Sequence, residues 1–381
     1  MPFVLRKQGV PVDRIAGVVA IAAIPAVWFF AYAPAVDLGL RRKTWIIMGS
    51  VAAGLFCAAA TLLATGSLTL LTIVLFLASA ASGLCATANG TLLSMLLPNV
   101  RGRASGWYQA GNLGAGAIGA GVAIWLAGVV SLPVLSLAVL LLVAVPVLAA
   151  VMIEEGPRRQ EHARLANPAA LFKPLVRDLR AVFWSPRALI GLVFFLSPVT
   201  SGAVANLISG VGPDYHAPDV EVLWITGIAG GLLSAIGSFA GGYVCDRMNR
   251  MAAYALAGGL CAVFATYMGF APFTPLSFGA GYSGYSLATG FGYAVFTALV
   301  LEVLGSRQGA AGTSYSILVA SGNIPISYMT YLDGVGYKHW GARGLMGVDA
   351  LAEGGGAIVL LLIAWFTRHI WHKTDEDQVA A

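Results

Sequence analysis

The stretch Gly242-Tyr243-Val244-Cys245-Asp246-Arg247-Met248-Asn249-Arg250 separates two apolar runs, residues 222–244 and 251–271. Each run is close to the roughly 20 residues that a helix needs to cross a bilayer core. Between them lie one acid and two arginines within five positions. A brief charged turn flanked by two such runs reads as a pair of membrane-crossing helices that reverse at the surface. The punctuation repeats along the chain. Apolar runs also occupy residues 15–36, 44–64, 68–97, 104–128, 131–153, 188–210, 275–304, 310–332 and 351–367, which makes eleven candidate spans. In lipid every peptide group must be paired within its own element, and these runs are too long and too uniformly apolar for barrel strands. The expected fold is all-α and polytopic.

Composition excludes the soluble classes. Of 381 residues 58% are hydrophobic and 10% charged, whereas soluble domains carry about 25% charged residues. The four cysteines, Cys57, Cys85, Cys245 and Cys261, form no CxxC pair, so neither a disulfide framework nor a thiolate metal site is expected. No HExxH, GxSxG or phosphate-loop pattern occurs, and an enzyme is not expected. Gly114-Ala115-Gly116-Ala117-Ile118-Gly119 fits GxGxxG but lacks the strand and the later acid of a dinucleotide site. Asp214, His216, Asp219 and Glu221 cluster at no standard metal spacing. No metal and no cofactor are expected, and the net charge of +5 belongs to loops rather than to a nucleic-acid surface.

The basic residues set the orientation. Seventeen of the 22 Lys and Arg fall in alternate connections, those holding Arg41, Arg42 and Lys43, Arg101 and Arg103, the segment 154–187, Arg247 and Arg250, Arg307, and the C-terminus. Cytoplasmic loops carry that excess. The C-terminus is therefore expected in the cytoplasm, and the Ala- and Gly-rich composition points to a bacterial inner membrane. Three parts follow: residues 1–153 as an N-terminal bundle of five spans, 154–187 as a linker, and 188–381 as a C-terminal bundle of six. In the linker Phe172, Leu175, Val176, Leu179, Val182 and Phe183 recur at helical spacing, the pattern of a helix lying on a membrane surface.

The chain repeats itself. Asp37-Leu38-Gly39-Leu40-Arg41 precedes the second span as Asp246-Arg247-Met248-Asn249-Arg250 precedes the eighth, with the acids 209 residues apart, and Gly111-Asn112 echoes Gly322-Asn323 at an offset of 211. A duplicated half explains both offsets. Shifted back by about 209, residues 188–210 find their counterpart just before Met1. A parent of twelve spans, of which the first is missing here, is the expectation.

These residues carry a resemblance. Gly242, Asp246, Arg247 and Arg250 match the Gly-x-x-x-Asp-Arg-x-x-Arg signature that follows the second helix of each half in the major facilitator superfamily. Asp37 and Arg41 match its first copy, in which Ala33 stands for the glycine and Leu38 for the first arginine. Tyr32 to Asp37 and Arg103 to Gln109 are similar to the branch containing muropeptide permeases and acetyl-CoA transporters. The resemblance implies two helical bundles and secondary transport.

The motif also has its own physics. An acid beyond one helix can face the positive N-terminal end of another, and the arginines nearby can pair with it. Asp37, Arg41, Asp246, Arg247 and Arg250 are therefore read as a gating latch. Polar residues at lipid depth face a bundle interior or a watery cavity. Tyr282, Ser286, Thr289, Tyr293 and Thr297 make one stripe in span nine. Ser316 and Asn323 in span ten, Gln109 and Asn112 in span four, and Asn206 in span six join it as candidate solute-binding residues. The bland reading of all of them is helix-to-helix hydrogen bonding. Mid-span carboxylates are not apparent: Asp333, Asp349 and Glu353 read as outer-edge charges, which leaves Glu302 as the candidate proton-coupling acid.

The sequence thus points to a secondary transporter that moves a polar organic solute through the bilayer by alternating access, with protons as the candidate coupling ion. A non-transporting membrane assembly or pigment-delivery factor on the same fold is the alternative.

Overall fold

A computed structural model describes residues 17–18, 21–22, 24–25, 28–38, 40–64, 66–154, 176–177, 179–180, 183–305 and 311–379, with the backbone alone for Leu38 and 368–379. The described residues are almost wholly helical and contain no strand. In chain order the helices are α1 (Phe29–Tyr32), α2 (Pro34–Leu38), α3 (Arg42–Leu63), α4 (Leu68–Ser94), α5 (Arg101–Ala110), α6 (Gly116–Val129), α7 (Leu132–Ala144) and α8 (Pro146–Val151). They continue as α9 (Pro186–Phe195), α10 (Val204–Val211), α11 (Asp219–Trp224), α12 (Gly230–Cys245), α13 (Arg250–Phe270), α14 (Pro275–Leu304) and α15 (Ala311–Val379). Single π-helical turns, Gly111–Ala115 and Ile225–Ala229, join α5 to α6 and α11 to α12. Eight described helical runs are long and apolar enough to cross a membrane. Of the surface-helix expectation for the linker, Phe172, Leu175 and Val182 lie outside the described residues, while Val176 and Leu179 are helical.

The helices fall into two compact units that do not follow the sequence halves. One comprises residues 1–95, 119–182 and 306–320, the other 96–118, 183–305 and 321–381. The start of the tenth expected span is thus built into the first unit, and the start of the fourth into the second.

In the first unit α3 packs against α4 and α7 through small residues. A side chain on Gly49 would press on the Ala81 carbonyl, and one on Gly54 on that of Leu140. Ser136 on α7 donates to the Ala58 carbonyl at 2.9 Å. Lipid tails give no hydrophobic push between helices, so close backbone approach and such hydrogen bonds hold them together. The opening turns of α15 lie on α4, where the Tyr315 ring covers Gly90 and the Ser316 and Thr87 hydroxyls bond at 2.9 Å.

In the second unit α12 crosses α14 at backbone contact. A Cβ on Gly237 would overlap the Leu287 carbonyl, and one on Gly290 that of Ser234. Ser234 and Ser238 donate across the crossing to the Ser286 and Gly290 carbonyls, both at 2.9 Å. α5 meets α12 in the same way, Gly106 against Gly242. A core of Tyr215, Phe278, Met268, Ile208 and Leu345 fills the far end, with the Tyr215 hydroxyl donating to the Met268 carbonyl at 2.7 Å.

Three expected spans take a different form. The run 188–210 is broken: α9 ends at Phe195, α10 begins at Val204, and the eight residues between them are irregular. Pro198 lacks a peptide N–H and disfavours helix at Ser197, while Thr200 (φ 58°) and Gly202 (φ 65°) adopt left-handed backbone. Periodicity averaged over the run conceals this. The expected spans 310–332 and 351–367 are also longer than read. α15 is interrupted only at Trp340 (φ −135°) and Gly341 (φ 62°), so most of the expected connection 333–350 is helical. Lys338, Arg343, Asp349 and Glu353 lower the hydropathy there, but it is the faces of the helices that decide burial.

Candidate functional site

Two aspartates stand at helix starts. Asp37 ends a short helix whose Pro34 begins it, and its side chain is 7% exposed. It accepts from the Gly312 N–H at 2.9 Å, the Thr313 N–H at 2.7 Å and the Thr313 hydroxyl at 2.6 Å. These are the first turn of α15, whose leading N–H groups have no partner of their own. Burial pushes the Asp37 carboxyl above the usual carboxylate range, while the Thr313 and Gly312 hydrogen bonds and the nearby Arg42 charge pull it down. The partial positive charge of a helix N-terminus favours an anion at this place.

Asp246 repeats the arrangement. It accepts from the Gly102 N–H at 2.9 Å and the Arg103 N–H at 3.1 Å, the first turn of α5, and forms an ion pair with the Arg103 Nε at 3.0 Å. The acids are 209 positions apart and the capped glycines, Gly102 and Gly312, 210. Neither glycine has room for a side chain: a Cβ would fall 2.9 Å from Asp37 Oδ1 at Gly312 and would collide with Asp246 Oδ1 at Gly102. The duplication therefore governs the recipients as well as the acids. Sequence reading named the acids and missed the recipients. A signal existed, because the 211-residue echo already paired the two helices whose starts are capped.

The basic members of the expected latch divide. Arg250 pairs with Glu302 at 3.0 Å and donates to the Pro98 carbonyl at 2.9 Å, so Glu302, the expected coupling acid, is held in an ion pair. Arg247 is exposed and turns back on its own helix, its guanidinium 3.4 Å from the Tyr243 ring centre and donating to the Tyr243 carbonyl. The Arg41 side chain is exposed, and its carbonyl accepts from Trp45 N–H as α3 begins. Arg42 supplies the charge that reaches Asp37. A buried arginine that sequence reading passed over, Arg101, donates to the carbonyls of Leu96, Leu301 and Gly305 at 2.9, 3.1 and 3.3 Å. It ties the start of α5 to the end of α14.

The candidate solute-binding residues are not one cluster. In the second unit Gln109 donates to the Thr297 hydroxyl at 2.8 Å and accepts from Asn112 at 3.2 Å. Tyr282 and Thr289 are buried, with Thr289 donating to the Tyr285 carbonyl at 2.9 Å. The Tyr293 hydroxyl donates to the Ser201 carbonyl at 3.2 Å. Asn206, exposed, donates to Thr330 at 3.0 Å, and Asn323 is half-buried. Ser316 belongs to the first unit, fully buried and bonded to Thr87.

Asp333, Asp349 and Glu353, read as outer-edge charges, are each 0% exposed. Among the described residues no three His, Cys, Asp or Glu are arranged to hold a metal ion.

The chain matches the Major Facilitator Superfamily over residues 1–330. No curated protein matches it in sequence. Among solved structures it is similar to the human organic anion transporter MFSD10 (TETRAN), with a TM-score of 0.68 at 16% identity over 94% of this chain and 88% of that one. It is also similar to the proton:xylose symporter XylE, with a TM-score of 0.66 at 14% identity over 92% and 85%. The E. coli fucose:proton symporter FucP gives 0.60 at 15% identity over 92% of each chain. At such identities the likeness is one of fold.

Proposed function

Since the chain belongs to the major facilitator superfamily and is a multi-pass secondary transporter rather than an enzyme, we propose that it moves a polar organic solute by alternating access. The observation that carries this reading is the pair of aspartate-capped helix starts. Each joins a loop of one sequence half to a helix of the other, Asp37 to Gly312 and Asp246 to Gly102, and each is a small, separable contact of the kind that biases one state over another. Arg250 with Glu302 and Arg101 with its three carbonyls brace the Asp246 cap.

Hydroxyl, amide and phenol groups at Gln109, Asn112, Thr289, Tyr293 and Asn323 support a polar solute. The similar structures named for xylose, fucose and organic anions support the same class. The resemblance of 32–37 and 103–109 to muropeptide permeases and acetyl-CoA transporters sets which solutes to screen first. The basic residues favour a cytoplasmic C-terminus, and the Ala- and Gly-rich composition favours a bacterial inner membrane.

The test is uptake by purified protein in lipid vesicles against a panel of sugars, amino-sugar peptides and organic anions. Wild type accumulates at least one, and Asp246→Asn folds yet carries it poorly. Failure of wild type to move any member while it remains folded favours the non-transporting alternative. Asn323→Leu shifts the KM for the carried solute, and an unchanged KM removes Asn323 from its binding.

A further inference from the structure

Three acids are buried in the second unit beside the broken span. Glu353 accepts from the Thr200 N–H at 2.6 Å and the Ser201 N–H at 3.2 Å, so both its oxygens hold the peptide groups that the break sets free. Phenols satisfy the carbonyls on the other side of the break. Tyr254 donates to Val199 at 2.8 Å, Tyr328 to Leu196 at 2.9 Å and Tyr293 to Ser201 at 3.2 Å. A β-branched residue at positive φ, Thr200, persists only where its surroundings impose it. Here two N–H bonds to one carboxylate impose it.

Asp349 and Asp333 have no such task. Asp349 Oδ1 accepts from the Tyr285 hydroxyl at 3.3 Å, while Asp349 Oδ2 and both oxygens of Asp333 have no hydrogen-bond partner among the described residues. The two lie on either side of the Trp340–Gly341 break in α15. There the helix returns along itself closely enough for a Cβ on Gly336 to sit 2.7 Å from the Gly344 carbonyl and 2.9 Å from Val348. The charges that reach these acids are one another's. The titratable groups around them are Tyr254 and Cys261 on α13, Tyr285 and Tyr293 on α14, and Tyr328 on α15. None of these brings positive charge. An ionised carboxylate buried without a cation or a donor costs several kcal/mol, whereas a carboxylic acid carries its own proton and loses far less water.

We propose that Asp333 and Asp349 are a proton-carrying pair, held as neutral acids at neutral pH beside Glu353, whose two N–H bonds pin the break in the sixth span. A shift of that break would change the surroundings of Asp349 and open it to water, which would take the released proton and leave the carboxylate. Whether the release drives solute movement rests on the transporter reading; the protonation itself does not.

The test is an infrared pH titration of the full chain in lipid vesicles, reading the carboxylic-acid carbonyl band. Wild type keeps that band at neutral pH and loses it in alkali. Asp333→Asn and Asp349→Asn each remove a share of it. Absence of the band in wild type at neutral pH overturns the pair, as does a band untouched by both Asn variants. A band displaced by sodium ions assigns a cation site instead and also overturns it. Should either Asn variant fail to fold, wild type alone decides: its melting temperature falls as pH rises above neutral, because the folded bundle holds protons that alkali strips, and a flat profile sinks the proposal. Vesicles under an imposed pH gradient then read coupling separately. A band without gradient-driven uptake keeps the proton site and rejects its use in transport.

Discussion

The Asp37 and Asp246 caps occupy equivalent places in the repeat and are built differently. Both aspartates are shielded, and the third bond of Asp37 comes from an uncharged hydroxyl, that of Thr313. Asp246 has Arg103 as its third partner, with a side chain 59% exposed. The shared elements, one acid and two peptide N–H groups at a glycine-led helix start, are what the geometry requires. The third partner is free to vary. A hydroxyl in a buried site gives a bond insensitive to salt, whereas an exposed guanidinium gives one that ions screen.

This difference is open to attack. Removing the Asp37 side chain as Asp37→Ala leaves a helix start with two buried N–H groups and a hydroxyl unsatisfied. Hydrogen bonds to charged groups are worth about 1.5–3 kcal/mol each. It is expected to produce the greatest fall in melting temperature and to abolish uptake; a melting temperature within a degree or so of wild type would show that the cap carries no weight. Asp246→Asn retains an acceptor but loses the charge, so a cost of about 1 kcal/mol is expected, read as reduced uptake with folding preserved. Thr313→Val removes one neutral bond, at about 1 kcal/mol or less, and its effect should be the same at low and high salt. Arg103→Gln is expected to have the smallest effect, since exposed ion pairs contribute about 0–1 kcal/mol, and half-molar salt should give wild type the same uptake as the variant. Equal salt dependence at both caps would contradict the distinction drawn between them.

Much of this was legible in the chain. The eleven runs, the acids of the motif and the 209-residue offset all come from local pattern: apolar length for the spans, spacing for the charges. The partners were not. Gly312 lies 275 residues from Asp37 and Gly102 lies 144 from Asp246, and no window spans such distances. The repeat offered an indirect route through the Gly111–Gly322 echo, because equivalent helices should start at equivalent places. The burial of three acids was not legible for the opposite reason. Asp333, Asp349 and Glu353 share their stretch with Lys338 and Arg343, and a hydropathy sum cannot distinguish a charged loop from a helix whose acids all face inward. Glu302 was read as free to titrate because its ion-pair partner, Arg250, is 52 residues away on another helix.

By itself the sequence settled that this chain lives in a bilayer as a bundle of helices with a duplicated charge motif, because the cost of unpaired peptide groups in hydrocarbon leaves uniformly apolar runs no other form. Only the tertiary structure decided which helix start each aspartate caps, that the sixth span is broken and pinned by Glu353, and that two further carboxyls are buried without an ion-pair partner among the described residues. Those are pairings between groups distant along the chain, and their energies depend on distance and burial that no linear pattern encodes.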